Sequence, residues 1–355
     1  MSGSKKPTLD DIAKIAGVSR TAVSMILNEK KDVSFQEDTI RKVQAAADQI
    51  GYVKKETLMV KRNLFSEKTI LVLTPTVTST YYATLVQAIE QEAHKNGIRI
   101  ITQNTFRDGE RELSFINQVK HSNLFGIIST MTPVNIPLLE ELNKKIPVVV
   151  INDRSNDVDL DTVEINNYSA GVLIANHMIE LGHKCVAYIS TTLNSLNTAR
   201  VRRLDGILDT YRKNCPDGSV IVKSKDITPV EEMNNINIET AVGYELTSEA
   251  MKNRKITGFI AVNDMVAYGV MEALLKNGYR IPEDYSICGF DNLFPSEFQN
   301  ISLTTVEHHI VSRGQNAVEI IVNRHNSSRN PYSSTRVLYK HELIVRKSTG
   351  RPRNS

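Results

Sequence analysis

Apolar residues near the amino terminus recur at helical spacing, and further on they collect into short continuous runs. Residues 8–28, TLDDIAKIAGVSRTAVSMILN, carry two short helical patterns. Ile12, Ile15 and Ala16 make the stripe of the first, and Ala22, Val23, Ile26 and Leu27 the inward face of the second. Thr8 is placed to cap the first helix, with Asp11 three residues on as the acidic partner of a capping box. Gly17 supplies the tight turn between two crossed helices, and Ser19 caps the second. Arg20, Thr21, Ser24, Met25 and Asn28 are left outward. A third helix follows, capped at Ser34 or at Gln36, with Ile40, Val43, Ala47 and Ile50 on its stripe and Gly51 at its end. Two readings fit this pattern: a helical hairpin that binds nothing, or a helix-turn-helix whose second helix enters the DNA major groove.

From Thr69 onward the pattern changes. Short β-rich runs stand at 70–73, 98–102, 126–129, 148–151, 186–190, 258–262 and 285–290, with helical patterns between them, such as Ala83–Asn96 before Gly97. This alternation predicts parallel sheets covered by helices on both faces. Ligands in such sheets bind beyond the carboxyl ends of the strands, which is where polar residues cluster in this chain.

Composition narrows the class. At 355 residues and 41% hydrophobic content, the chain has room for a small head and two core-sized lobes. No apolar run reaches membrane-spanning length, and MSGSKKPT lacks the apolar stretch of a signal peptide. Cys185, Cys215 and Cys288 are far apart and outside any CxxC spacing, as expected of thiols in a reducing compartment. A cytoplasmic location is expected. The net charge of +3 is uneven: residues 1–68 hold 13 Lys+Arg against 9 Asp+Glu, and the remainder 30 against 31. The basic excess therefore sits with the head and with the linker VKKETLMVKRNLFSEK, where phosphate neutralisation is needed. Phosphate-loop, nucleophile-elbow, zinc-protease and dinucleotide fingerprints are all missing. The eight histidines show no metal-ligand spacing. No catalytic residue, metal or cofactor is expected.

The wording of the head is more specific than its periodicity. Asp11-Ile12-Ala13-Lys14, Ala16-Gly17-Val18-Ser19, Val23-Ser24 and Leu27-Asn28 resemble the DNA-binding head of the LacI/GalR family of bacterial transcription regulators, and Gly51-Tyr52 resembles its closing "GY". The resemblance continues through Tyr81-Tyr82-Ala83, Asn152-Asp153-Arg154, Ala199-Arg200, Asn263-Asp264, Gly289-Phe290-Asp291-Asn292, Leu303-Thr304-Thr305-Val306 and Glu342–Arg346. It implies an α/β protein: an all-α helix-turn-helix head (1–52), a hinge (53–68), and two Rossmann-like lobes like those of periplasmic sugar-binding proteins (69–348). The lobes are expected at about 69–166 plus 295–330 and about 167–292 plus 331–348, with a disordered tail over 349–355.

It further implies a repressor of carbohydrate genes. The repressor would act as a homodimer on a pseudo-palindromic operator in double-stranded DNA, gated by a sugar or sugar derivative between the lobes. Thr8, Ser19, Arg20, Thr21, Ser24, Met25 and Asn28 are the expected DNA contacts of the head. Leu64 is the expected minor-groove wedge, with Leu58 as its rival; a plain basic linker is the alternative. Tyr81, Tyr82, Asp153, Arg154, Arg200, Asn263 and Asp291 are the expected effector residues, with Arg203 a rival of Arg200. Aromatic rings would stack on a sugar face, carboxylates would accept from hydroxyls, and guanidinium groups would donate. Core packing of one tyrosine and a loop salt bridge at Asp153-Arg154 are the structural alternatives. A nucleobase, a sugar phosphate or a protein co-regulator stays open as the effector. A sugar-binding protein or an enzyme without a DNA role is the remaining class.

Overall fold

The computed structural model describes residues 7–27, 35–50, 52, 68–153, 158–326 and 333–353, and the chain divides into two compact units, Met1–Ser66 and Glu67–Ser355. In the first unit, α1 (Leu9–Ala16), α2 (Arg20–Leu27) and α3 (Glu37–Gln49) surround a small core of Ile12, Val23, Ile26, Val43, Ala46 and Ala47. The capping box forms as spelled: Asp11 N donates to Thr8 Oγ1 at 3.4 Å, and Thr8 N donates to Asp11 Oδ2 at 2.9 Å. Gly17 turns the chain in the left-handed region at φ 67°, where a side chain would be strained. Ser19 Oγ accepts from Ala22 N at 3.1 Å. α3 starts after Gln36, whose side chain makes no capping bond; Ser34 lies outside the described residues. Ile15 departs from expectation, being 47% exposed. The inward stripe of α1 runs through Leu9, Ile12, Ala13 and Ala16, and Ile15 falls beside it.

The second unit contains two six-stranded sheets. Its strands are β1 (Thr69–Thr74), β2 (Arg99–Asn104), β3 (Gly126–Ser129), β4 (Val148–Asp153), β5 (Asp161–Ile165), β6 (Cys185–Thr191), β7 (Ser219–Lys225), β8 (Gly258–Ala261), β9 (Ser286–Asp291), β10 (Thr304–Glu307), β11 (Arg336–Tyr339) and β12 (Glu342–Ile344). The first sheet is ordered β11-β5-β4-β3-β1-β2, all parallel; the second is β12-β10-β9-β8-β6-β7, parallel except for β12. Helices α4 (Thr80–Lys95), α5 (Gly109–Val119), α6 (Ile136–Asn143), α7 (Asn167–Glu180), α8 (Thr198–Asn214), α9 (Pro229–Asn234), α10 (Ile238–Ala250), α11 (Asp264–Lys276) and α12 (Ile310–Asn326) complete it. β1, β3, β4, β8 and β9 are buried throughout, which is why they read as continuous apolar runs. β5 and β7 escaped that reading. β5 carries Asp161 and Glu164 inside the fold, where Arg324 Nε and Thr162 Oγ1 donate to them at 2.6 Å each. β7 is an edge strand with exposed positions.

Three crossings join the lobes. The chain leaves the first sheet after β5, returns between β10 and α12, and passes over again between β11 and β12. The last two crossings differ from expectation. Residues 304–307, assigned to the first lobe, pair with β9 in the second, and 336–339, assigned to the second, pair with β5 in the first. Strand pairing is a long-range choice: Leu303 and Val306 join the second-lobe core, and nothing in their local pattern names that partner. The tail is also ordered through 353. Gly350 N donates to Ser286 Oγ at 3.0 Å, the Gly350 carbonyl lies 2.9 Å from His183 Nε2, and Arg353 donates to the Tyr285 hydroxyl at 3.3 Å. Buried polar groups on His183 and Ser286 need partners, and the tail supplies them.

Candidate functional site

The head presents its expected residues at the start of α2. Arg20 and Thr21 are exposed, as are the capping residues Thr8 and Ser19, while Ser24 and Met25 are half-buried. Val23 and Ile26 face the core and orient the helix. Arg20 Nη1 stands 3.4 Å from Asp10 Oδ2, both side chains well exposed; such a pair is weak and leaves the guanidinium free to turn outward. Asn28, Leu58 and Leu64 lie outside the described residues.

In the second unit, the carboxyl ends of both sheets face one open cleft, the usual place for a small-molecule site in folds of this kind. Tyr81, Tyr82, Asp153, Arg200, Asn263 and Asp291 all line it, and so does Arg203. Arg154 lies outside the described residues. Tyr81 and Tyr82 open α4 and meet edge to face, with ring centroids 5.0 Å apart. The Tyr81 hydroxyl accepts from Arg313 Nη1 at 2.8 Å, and burial pushes its pKa up. Asp153 Oδ1 accepts from the backbone and side-chain nitrogens of Asn167, at 2.9 and 2.8 Å. Asn167 Oδ1 in turn accepts from Arg203 Nε at 2.8 Å.

Arg203 therefore sits at the cleft floor. It also donates to the Val262 carbonyl, lies 3.5 Å from Asp291 Oδ1, and places its guanidinium carbon 4.8 Å from the Phe290 ring centroid. Asp291 is buried at φ 110°, and His308 Nδ1 lies 2.8 Å from its Oδ1. Burial pushes the Asp291 carboxyl well above the usual range, against the pull of Arg203. Burial also holds His308 well below the usual imidazole value. Asn263 caps α11 through its Oδ1, which accepts from Val266 N at 2.9 Å, and donates Nδ2 to Glu239 Oε1 at 3.0 Å. Arg200 Nη2 reaches the same Glu239 oxygen at 3.3 Å. Burial, with Arg107 nearby, lowers the Arg200 pKa.

The cleft thus offers acceptors, guanidinium donors and two aromatic rings to one small ligand. Sequence reasoning missed Glu239, Arg107, Asn167 and Arg313, which also line it. Glu239 opens α10 in an otherwise ordinary helical pattern, and Arg313 lies beyond a crossing, so no local signal marks them. Asn152 is buried at the cleft wall, and its amide makes no hydrogen bond among the described residues. No group of three or more His, Cys, Asp or Glu among the described residues is placed to hold a metal ion. No described helix is long and apolar enough to cross a membrane.

Comparisons with known proteins place both units. Residues 8–55 match the family described as bacterial regulatory proteins, lacI family, and residues 67–343 match the periplasmic binding proteins and sugar binding domain of LacI family. The NTD biosynthesis operon regulator NtdR of Bacillus subtilis is 28% identical over 347 residues, 97% of this chain and 100% of that protein. A transcriptional repressor PurR of Haemophilus influenzae is 27% identical over 346 residues, 96% of this chain and 98% of its own. A LacI family regulator from Enterococcus faecium, crystallised with bound ribose, superposes with a TM-score of 0.66 at 25% identity, over 80% of this chain and 99% of that one. With a helix-turn-helix head, two parallel-sheet lobes and family matches spanning both, the chain is a DNA-binding transcriptional regulator rather than an enzyme, and it belongs to the LacI family of bacterial regulatory proteins.

Proposed function

We propose that this regulator is a repressor that acts in the cytoplasm as a homodimer on a pseudo-palindromic operator and is gated by a sugar-like ligand held in the cleft between its lobes. The observation that carries the reading is convergence. Six side chains singled out along the sequence arrive from both sheets at one cleft. With Arg203 and Glu239 beside them, the cleft's chemistry suits ring hydroxyls: Asp153 and Glu239 accept, Arg200 and Arg203 donate, and Tyr81 and Tyr82 offer apolar faces. The ribose held by the Enterococcus faecium neighbour supports the same ligand class. Ligand binding changes operator affinity only through a difference in affinity between lobe arrangements.

A nucleobase is the second reading, favoured by the tyrosine pair as a stacking surface for a planar ring. The test is a thermal-shift panel of pentoses, hexoses, sugar phosphates and nucleobases on the full chain. A gel shift then uses an operator selected from random duplexes. At a hundredfold excess over Kd a ligand adds about 2.7 kcal/mol of stability, a shift of several degrees. A sugar that raises the melting temperature and alters the shifted band is the expected result. A shift given by nucleobases alone transfers the assignment to the second reading.

A further inference from the structure

We infer that Arg107 is an interlobe latch: a positioning residue of the first lobe that clamps α9 of the second lobe over the ligand cleft. For what it closes over, the inference rests on the cleft reading above. The loop after β2 carries Phe106 and Arg107 in succession at φ 52° and 57°. Non-glycine residues rarely take this left-handed region, and such strain concentrates at clamps and switches. The turn is pinned on both sides. Phe106 N donates to the Pro75 carbonyl at 2.9 Å, and Asp108 caps α5 by accepting from Glu110 N at 2.9 Å.

The strained turn sends the Arg107 guanidinium across the mouth of the cleft. Nη1 donates to Glu232 Oε1 on α9, and Nη2 donates to the Tyr82 hydroxyl at 3.3 Å. The Arg107 and Glu232 side chains are only 19% and 16% exposed, so this ion pair is better shielded than the exposed pairs of the surface. Beside it, Arg111 Nη1 approaches Met233 Sδ at 3.8 Å. Glu239 and Arg200 line the same mouth.

α9 has little else to hold it. None of its residues is buried, and Val230 and Met233 are exposed at 61% and 46%. Elements with few buried contacts open at low free energy, so the charge pair is the main tie between this segment and the first lobe. One guanidinium thus joins a ligand-facing tyrosine to a loosely held cover. Closing the latch over an occupant slows the occupant's escape.

Hydrogen exchange on the unliganded full chain is the first test, with Arg107→Gln, Glu232→Gln and Arg107→Lys. Amides of 230–238 should exchange about tenfold or more faster in both Gln variants, and Arg107→Lys, which keeps the charge, should restore protection. The second test is stopped-flow release of D-ribose, whose off-rate should rise about tenfold in the Gln variants, with the melting temperature nearly unchanged. Wild-type exchange at 230–238 in both Gln variants overturns the latch, as does equal loss of protection in Arg107→Lys and Arg107→Gln. A wild-type chain that does not bind D-ribose or any other sugar sinks the sugar reading instead, and the exchange pattern still decides the latch. Unchanged release of D-ribose in variants with loosened 230–238 overturns the link between latch and ligand.

Discussion

Arg200 and Asp291 occupy one cleft and play different parts in it. Among the described residues the Arg200 side chain makes one hydrogen bond, to Glu239, which keeps Asn263 as a partner without it. Arg200→Ala should therefore lower ligand affinity about tenfold to a hundredfold, the range for a lost polar contact of about 1–3 kcal/mol. The melting temperature and unliganded operator affinity should hold, as calorimetry and gel shift would show. Asp291 is buried beside Arg203 and His308, so Asp291→Ala should lower the melting temperature as well as ligand affinity, because it leaves the buried Arg203 guanidinium without its neighbouring carboxyl. In the head, Arg20→Ala should relax preference at one base pair per half-site, since a bidentate contact to guanine is worth about 1–3 kcal/mol of discrimination; a uniform loss across all sequences would reduce Arg20 to a phosphate contact. His183 reports on pH. Burial lowers its pKa from 6.5 to about 4, so the folded state resists a proton that the unfolded chain accepts. Its contribution, about 3 kcal/mol at most, is complete above pH 6.5 and is lost as pH falls towards 4. Melts from pH 7 to 4 should show a shallower acid decline in His183→Gln than in the wild type. Asp264, raised by burial to about 6, acts in the opposite sense and is common to both chains.

At the scale of elements, one close helix crossing shapes the second lobe. α7 and α8 approach so closely that a Cβ on Gly206 would stand 2.1 Å from the Tyr168 carbonyl oxygen, and one on Gly171 the same distance from that of Arg203. The crossing brings Asn167 on α7 to Arg203 on α8, so it builds the cleft floor as well as the core. Gly206→Ala should cost about 1–3 kcal/mol through overpacking and should weaken ligand binding by displacing Arg203. Denaturant melts and calorimetry on one preparation check both. A stable variant with wild-type ligand affinity would show that the helices can separate without disturbing the floor. The helical elements were legible in advance because 3.6-residue periodicity and caps such as Thr8 and Ser19 are local. β5 and β7 were not: one carries Asp161 and Glu164 inside the sheet, and the other runs along an exposed edge.

For the molecule as a whole, three crossings let the lobes shift while the chain stays continuous, and a ligand bound by both lobes biases their arrangement. The head is a separate compact unit, so cleft variants such as Arg200→Ala should bind operator and fail to respond to ligand. Met25 stands where the family usually carries arginine, so operator selection should return a half-site unlike the common family palindrome. Recovery of that ordinary palindrome would show that position 25 does not read a base.

The head's helices and the alternation of strands and helices could be read from residue order, because capping and periodicity act between neighbours in the chain; the lobe fold and six of the cleft residues were implied by short motifs that resemble the LacI family. The partners of β10 and β11, the docking of the tail, and the meeting of Arg203, Asp291 and His308 could not. Each joins residues far apart in sequence, and each is selected by burial and hydrogen-bond satisfaction in the assembled lobes. Arg107 is the sharpest case: an unremarkable arginine in the chain, which a strained turn carries across the cleft to Glu232, 125 positions away.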